Sequence, residues 1–153
     1  VPTYNDHKIS LSQSLAILEY LDECYPEPAF LPGNASQRAR ARQIAQIIAC
    51  DIQPLTNLRV LAYLRNVLKA DQTARSLWFR QWLLDGLDAL ELWLTAERGM
   101  SRYCVGDQIT LADIVLVPQL YQERRFKLPL DDFPRLCDVE AACLENPAFQ
   151  ADD

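Results

Sequence analysis

The chain has 153 residues and a formal net charge of −6, and it is 50% hydrophobic and 24% charged, the balance of a folded chain and not of a disordered one. No apolar run reaches the roughly 18 residues of a membrane span, and the acidic total argues against a general nucleic-acid binder. The opening Val1-Pro2-Thr3-Tyr4 is no signal peptide, having neither a basic head nor an apolar stretch. The single histidine, His7, rules out a multi-histidine metal site. Cys24, Cys50, Cys104, Cys137 and Cys143 are odd in number and contain no Cys-x-x-Cys pair. They read as reduced cysteines of a cytoplasmic protein, most of them packing groups, with no metal site expected. Four glycines cannot furnish a glycine-rich phosphate loop.

In chain order, residues 1 to about 11 read as a short hairpin with its turn at Asn5-Asp6. Two strands alone are marginal, so further strands are expected to pair with them. Ser12 is expected to cap a helix over 13–24 that carries Leu15, Leu18 and Leu21 on one side. Residues 26–33, with three prolines and Gly33, read as a linker. Asn34 with Gln37 forms a capping-box signature, followed by Ala41, Ile44, Ala45, Ile48 and Ile52 at helical spacing. Pro54 predicts a kink near Asp51, after which Leu55, Leu58, Leu61 and Leu64 continue the pattern. Further helices are predicted over 73–97, with Leu77, Leu84, Leu87, Leu90 and Leu94 buried, over 111–125 with Pro118 inside, and over 134–145. Trp78, Trp82 and Trp93 read as core or core margin, and Arg38, Arg40 and Arg42 as solvated.

Four groups of residues carry possible chemistry. Gln13-Ser14 opens a helix, where free amides and the helix dipole make either an anion site or a plain cap. Gln53 and Asn57, four apart with Arg59 close by, form either a polar wall beside a cleft or a solvated face. In Ile109-Thr110-Leu111-Ala112-Asp113-Ile114, Thr110 is an N-cap accepting from the Asp113 amide while Asp113 reaches back to the Thr110 amide. Ile109 and Ile114 form a hydrophobic staple; this is a folding element. Arg124-Arg125 closes the helix that follows, either complementing its dipole or clamping a substrate carboxylate.

Taken in order, Val1-Pro2-Thr3, Gln13-Ser14-Leu15-Ala16-Ile17, Asp51-Ile52-Gln53-Pro54-Leu55-Thr56-Asn57-Leu58-Arg59, Thr110-Leu111-Ala112-Asp113, Leu116-Val117-Pro118-Gln119 and Arg125-Phe126 resemble the zeta class of the cytosolic glutathione transferases, the family of maleylacetoacetate isomerase. The resemblance implies a mainly α fold. Residues 1–25 would be the C-terminal part of a thioredoxin-like glutathione-binding α/β domain, 26–33 a linker, and 34–153 the all-helical C-terminal domain. It implies that Pro2 is cis and that the Val1 backbone pairs with the cysteinyl part of glutathione. Gln13 and Ser14 would hold the γ-glutamyl end, Gln53, Asn57, Leu58 and Arg59 would surround the ligand, and Arg125 would bind the carboxylate of the second substrate.

The resemblance also implies an activity: glutathione as cofactor for cis-trans isomerisation of a maleyl-type diacid, maleylacetoacetate to fumarylacetoacetate, in aromatic amino-acid catabolism. The protein would be a cytoplasmic homodimer, with residues 36 to about 50 the likeliest contribution to its interface. The family's Ser-Ser-Cys-Ser-like catalytic segment, which precedes the Val-Pro step, has no counterpart in residues 1–153, so no catalytic residue is assigned to this chain. Two alternatives use the same features: a transferase acting on small α-halo acids or maleylpyruvate, and a non-catalytic helical interaction module.

Overall fold

The computed structural model describes residues 2–96, 101–125 and 128–150, apart from the side chain of Arg125. Strand β1 (Thr3–Asn5) pairs antiparallel with β2 (Ser10–Ser12), Thr3 opposite Ser12 and Asn5 opposite Ser10. One carboxylate closes the turn. Asp6 Oδ1 accepts from the amides of Lys8 and Ile9 at 2.7 and 2.8 Å, and Oδ2 accepts from the hydroxyls of Tyr4 and Tyr20, both at 3.1 Å. The two amides, more than the hydroxyls, hold the Asp6 carboxyl below the usual carboxylate range. Tyr20 lies on α1 (Ser14–Cys24), so the turn is tied to the helix that follows. Ser12, expected to cap that helix, instead ends β2; the capping position is Gln13, whose side chain makes no cap hydrogen bond.

The predicted linker is docked at both ends. The Phe30 amide donates to the Asp22 carboxylate on α1, the Phe30 carbonyl accepts from the Leu111 amide at 2.8 Å, and Leu31 is buried. The expected capping box opens α2 (Ala35–Gln46): the Asn34 side chain accepts from the Ser36 and Gln37 amides, and Gln37 Oε1 accepts from the Asn34 amide at 3.0 Å.

The proline kink predicted near Asp51 takes another form. The helix widens into a π-helical segment (Ile47–Ile52), continues as the short α3 (Gln53–Thr56), and ends at Asn57. Pro54, which has no N–H to donate, sits in the first turn of α3, directly after the π-helical segment. Asn57 leaves the helical backbone (φ −73°, ψ 159°) and caps α4 (Leu58–Asn66), its side chain accepting from the Arg59 and Val60 amides at 2.9 and 3.3 Å. The leucine stripe is therefore interrupted, although Leu55, Leu61 and Leu64 are half-buried. Leu58 is 79% exposed.

Helix α5 (Gln72–Ala96) starts with Asp71 Oδ1 accepting from the Ala74 amide. It buries Leu83, Leu87, Leu90 and Leu94; Leu77 is 64% exposed and Leu84 only half-buried, which corrects the predicted stripe. Gly86 brings α5 close to the π-helical segment: a Cβ there would lie 2.2 Å from Ile52 Cγ1. Helices α6 (Leu111–Arg125) and α7 (Pro134–Leu144) complete the bundle, followed by a 3₁₀ turn (Pro147–Phe149). Ile44, Ile48, Ile52, Leu83, Leu87, Leu90, Leu116, Leu120 and Leu136 form the core, each stabilising by about 1.5–3 kcal/mol in transfer terms.

At the surface, Arg42 is exposed as expected, whereas Arg38 and Arg40 are half-buried. Arg42 pairs with Glu19 at 2.7 Å, Arg40 stacks over Trp93 at 4.6 Å, and Arg38 donates to the Gly33 carbonyl. Trp78 donates to the Leu55 carbonyl at 2.8 Å, while Trp82 and Trp93 are exposed. Of the cysteines, Cys104 and Cys143 are buried and Cys137 partly so, while Cys24 and Cys50 are exposed, so most are packing groups, as expected.

Candidate functional site

The Thr110–Asp113 box is built as a folding element. Asp113 is fully buried, and its Oδ2 accepts from the Thr110 amide at 2.7 Å and the Thr110 hydroxyl at 2.8 Å. Its Oδ1 accepts from the Cys104 amide at 2.8 Å, which ties the preceding loop to α6. One detail differs from expectation: the Thr110 hydroxyl accepts from the Ala112 amide at 3.3 Å, and the Asp113 amide donates to the Thr110 carbonyl. Burial, with Asp113 adding to it, pushes the Cys104 thiol well up and the Cys143 thiol up to about 12, so both are inert. Ile109 and Ile114 are half-buried and line a common cleft.

The N-terminus of α1 has a different character. Gln13 holds a positive φ of 78°, a strained backbone worth about 1–3 kcal/mol for a non-glycine residue. Its carbonyl accepts from the Ile17 amide at 3.0 Å, yet no side chain caps the helix. Among the described residues no side chain pairs with the first amides of α1, and with the Ser14 hydroxyl beside them this arrangement suits a carboxylate. Of the two readings the sequence left open here, the side-chain cap is not formed among the described residues. Val1 and its peptide bond to Pro2 lie outside the described residues, so the expected cis bond and backbone pairing are not described; Pro2 is exposed.

Gln53 and Asn57 do not share a face of one helix, because the break falls between them. The Asn57 side-chain oxygen is engaged as a cap, Leu58 and Arg59 start α4 with both side chains exposed, and Gln53 is half-buried. Gln53 is held from behind. Its Nε2 donates to Gln119 Oε1 at 3.3 Å, and Gln119 Nε2 donates to Glu123 Oε1 at 2.5 Å. Gln119 and Glu123 are buried, Glu123 completely, and Glu123 Oε2 has no partner among the described residues. Burial pushes the Glu123 carboxyl up to about 7, against the opposing effect of its Gln119 hydrogen bond.

The sequence reading missed this pair. Its signal was the spacing: Gln119 and Glu123 continue the face of Leu116 and Leu120, so a glutamine and a glutamate occupy core positions of α6. Among the described residues no hydrogen bond joins Gln13 or Ser14 to the group around Gln53.

The two arginines that end α6 differ. Arg124 is committed to Glu140 of α7. Arg125 is the last residue of the helix and its side chain lies outside the described residues. A cavity of about 560 Å³ opens between α4 and α5, lined by Leu58, Leu61, Arg65, Arg75 and Phe79, with Leu128 from beyond α6. A larger cleft of about 1190 Å³ lies between the linker, α6 and the 3₁₀ turn, lined by Pro28, Phe30, Pro118, Tyr121 and Phe149. Among the described residues no cluster of three or more His, Cys, Asp or Glu could hold a metal ion. No described helix is long and apolar enough to cross a membrane.

Comparison with known proteins adds a further line of evidence. The family model described as the glutathione S-transferase C-terminal domain matches residues 83–147. A maleylpyruvate isomerase from a Ralstonia species is 44% identical over 150 residues, covering 98% of this chain and 71% of that protein. The holo structure of maleyl pyruvate isomerase, described as a bacterial glutathione S-transferase of the zeta class, superposes with a TM-score of 0.92 at 44% identity, over 97% of this chain and 70% of that one. Maleylacetoacetate isomerase from Anaeromyxobacter dehalogenans, solved with dicarboxyethyl glutathione and citrate in its active site, gives a TM-score of 0.87 at 42% identity, over 99% of this chain and 68% of that one.

Proposed function

The chain belongs to the zeta class of the glutathione transferases, and from that premise we propose that it serves a glutathione-dependent cis-trans isomerase of a maleyl-type diacid. The observation that carries the reading is the 44% identity to a maleylpyruvate isomerase over nearly the whole chain. Halo-acid conjugation and a non-catalytic module draw no support from these relatives, which are isomerases by name. Maleylpyruvate and maleylacetoacetate are both candidate substrates, since relatives named for each are 44% and 42% identical.

The fit to glutathione rests on α1. Its uncapped amides, the strained Gln13 and the Ser14 hydroxyl offer convergent donors to the α-carboxylate of a γ-glutamyl group. Val1 would pair through its backbone, beside Pro2, with the cysteinyl part. The chemistry that glutathione supplies when bound is a thiolate able to add reversibly to an activated double bond. The chain's own residues bind and orient. Gln53, Asn57, Leu58 and Arg59 would line the ligand, and Arg125, at the end of α6, would hold a substrate carboxylate by a bidentate guanidinium contact.

Domain limits of 1–25, 26–33 and 34–153, a homodimeric assembly and a cytoplasmic location complete the reading. The five free cysteines are in keeping with that location.

The test is to incubate the full-length protein with each diacid, with and without glutathione. Isomerisation that requires glutathione is the expected result; none with either diacid overturns the reading. Arg125→Ala is expected to abolish turnover, and unchanged turnover would remove Arg125 from the site.

A further inference from the structure

Three side chains run from the core of α6 to the candidate ligand wall: Glu123, Gln119 and Gln53. We propose that Glu123, a positioning residue acting through Gln119, sets which end of the Gln53 amide faces a bound anion. Ionised Glu123 turns the Gln53 carbonyl oxygen outward, and protonated Glu123 turns out the NH₂ group. The proposal rests on the reading above that Gln53 lines the site of an acidic ligand.

Counting donors and acceptors leads to it. An ionised carboxylate only accepts, so it draws in Gln119 Nε2; Gln119 Oε1 then faces Gln53 and draws in Gln53 Nε2. That is the observed arrangement, with bonds of 2.5 and 3.3 Å. It leaves Glu123 Oε2 buried without a partner among the described residues, a costly state for a charged group.

Protonation gives Glu123 one donor. If its hydroxyl donates to Gln119 Oε1, the Gln119 amide turns over and its Nε2 donates to Gln53 Oε1. The Gln53 NH₂ group is then free to donate outward. Both states keep two relay hydrogen bonds, so the relay has two settings of comparable quality. Among the described residues no other hydrogen bond to the Glu123 carboxyl favours either setting.

Helix α6 packs against α1, α2, the π-helical segment and α7. On α1, Glu19 pairs with Arg42 of α2 and Asp22 accepts from the Phe30 amide. On α2, Arg38 and Arg40 are engaged at Gly33 and Gln43. On the π-helical segment, Cys50 and Asp51 are exposed. On α7, Glu140 is held by Arg124, with Cys137 acting on that pair. Among the described residues, burial and the Gln119 amide set the Glu123 ionisation, and with its carboxyl raised to about 7 both settings are populated near neutral pH.

A carboxylate needs donors, so an anionic ligand at Gln53 selects the protonated setting and takes up a proton on binding. Its affinity falls as pH rises through about 7, by up to about tenfold per pH unit where only that setting binds.

The experiment follows the side-chain amide resonances of Gln53 and Gln119 by NMR across neutral pH, in the full-chain protein without ligand. Both are expected to shift together with a midpoint near 7, to be flat in Glu123→Gln, and Gln53 to be flat in Gln119→Met, which keeps the carboxyl and cuts the relay. A flat wild type, or a Gln53 that still titrates in Glu123→Gln, overturns the proposal. Saturating malonate with glutathione is expected to raise the wild-type midpoint, and an unmoved midpoint overturns the coupling to the anion. The isomerase assay is read separately: its failure with the titration intact counts against the functional reading and not against the relay.

Discussion

Helix α6 carries a buried carboxyl at each end, and the two are treated in opposite ways. Asp113 accepts from two backbone amides and a hydroxyl; Glu123 accepts from one side-chain amide, and its other oxygen has no partner among the described residues. Both are fully buried on the same helix, so burial alone does not decide what a carboxyl is for. Partners do. A saturated carboxylate locks one conformation, whereas an under-partnered one is free to change protonation state and rearrange its neighbours.

The strongest way to break this contrast is Asp113→Ala. It strands the buried amides of Cys104 and Thr110, each costing about 1–3 kcal/mol, so the loss should be about 4 kcal/mol by urea denaturation. A loss under about 1 kcal/mol would mean that water replaces the carboxylate and the box is not the lock described.

The next effect carries a sign that separates the two ends. Glu123 titrates near 7 in the fold against about 4.3 in an unfolded chain. Between those values the folded state binds more protons, so this group's contribution to stability is fully present below about pH 4, falls as pH rises, and is lost above about 7. The full loss is on the order of 3 kcal/mol. Glu123→Gln should therefore gain stability relative to wild type on going from pH 5 to pH 8. A gap between the two proteins that does not change with pH would place the Glu123 ionisation elsewhere.

Much of the helical part was legible because local signals and tertiary packing agree there. The Asn34–Gln37 and Thr110–Asp113 caps and the limits of α5, α6 and α7 all follow from spacing and capping chemistry. The failures have physical causes. Asn57 inside an apolar-periodic run scans as a helical residue, yet it is an equally good cap, and the tertiary break decides. The π-helical segment has no local signature. Leu77 fits a helical stripe, but the contact face of α5 is set by Gly86 meeting Ile52. Gly86→Ala gains about 1 kcal/mol of helix propensity but forces that contact apart, so a net loss of about 1–2 kcal/mol is expected from thermal unfolding; a stabilised variant would show that Ile52 moves aside freely.

In the candidate site, the open end of α1 was legible as an alternative to a cap, while the Gln53 relay was hidden because only the spacing from Leu116 and Leu120 marks Glu123 as a core position.

The smallest effect tests whether capping without burial acts as the Asp113 box does. Asn57 accepts from the same kind of amides, at 2.9 and 3.3 Å, but at a half-exposed break and with no reciprocal bond. Asn57→Ala should therefore cost only about 1 kcal/mol, and Asn57→Ser should restore most of it, since a serine hydroxyl caps nearly as well. The pair also separates capping from ligand contact. If Asn57 only ends α3 and starts α4, glutathione affinity should recover in the serine variant along with stability. If the amide NH₂ group, which the cap leaves unused, meets the ligand, then stability should recover and affinity should not. The functional reading expects the second pattern, measured by calorimetric titration of both variants in the full-length protein beside their unfolding curves. Recovery of both quantities in Asn57→Ser would confine Asn57 to structure and leave Gln53 and Arg59 as the wall.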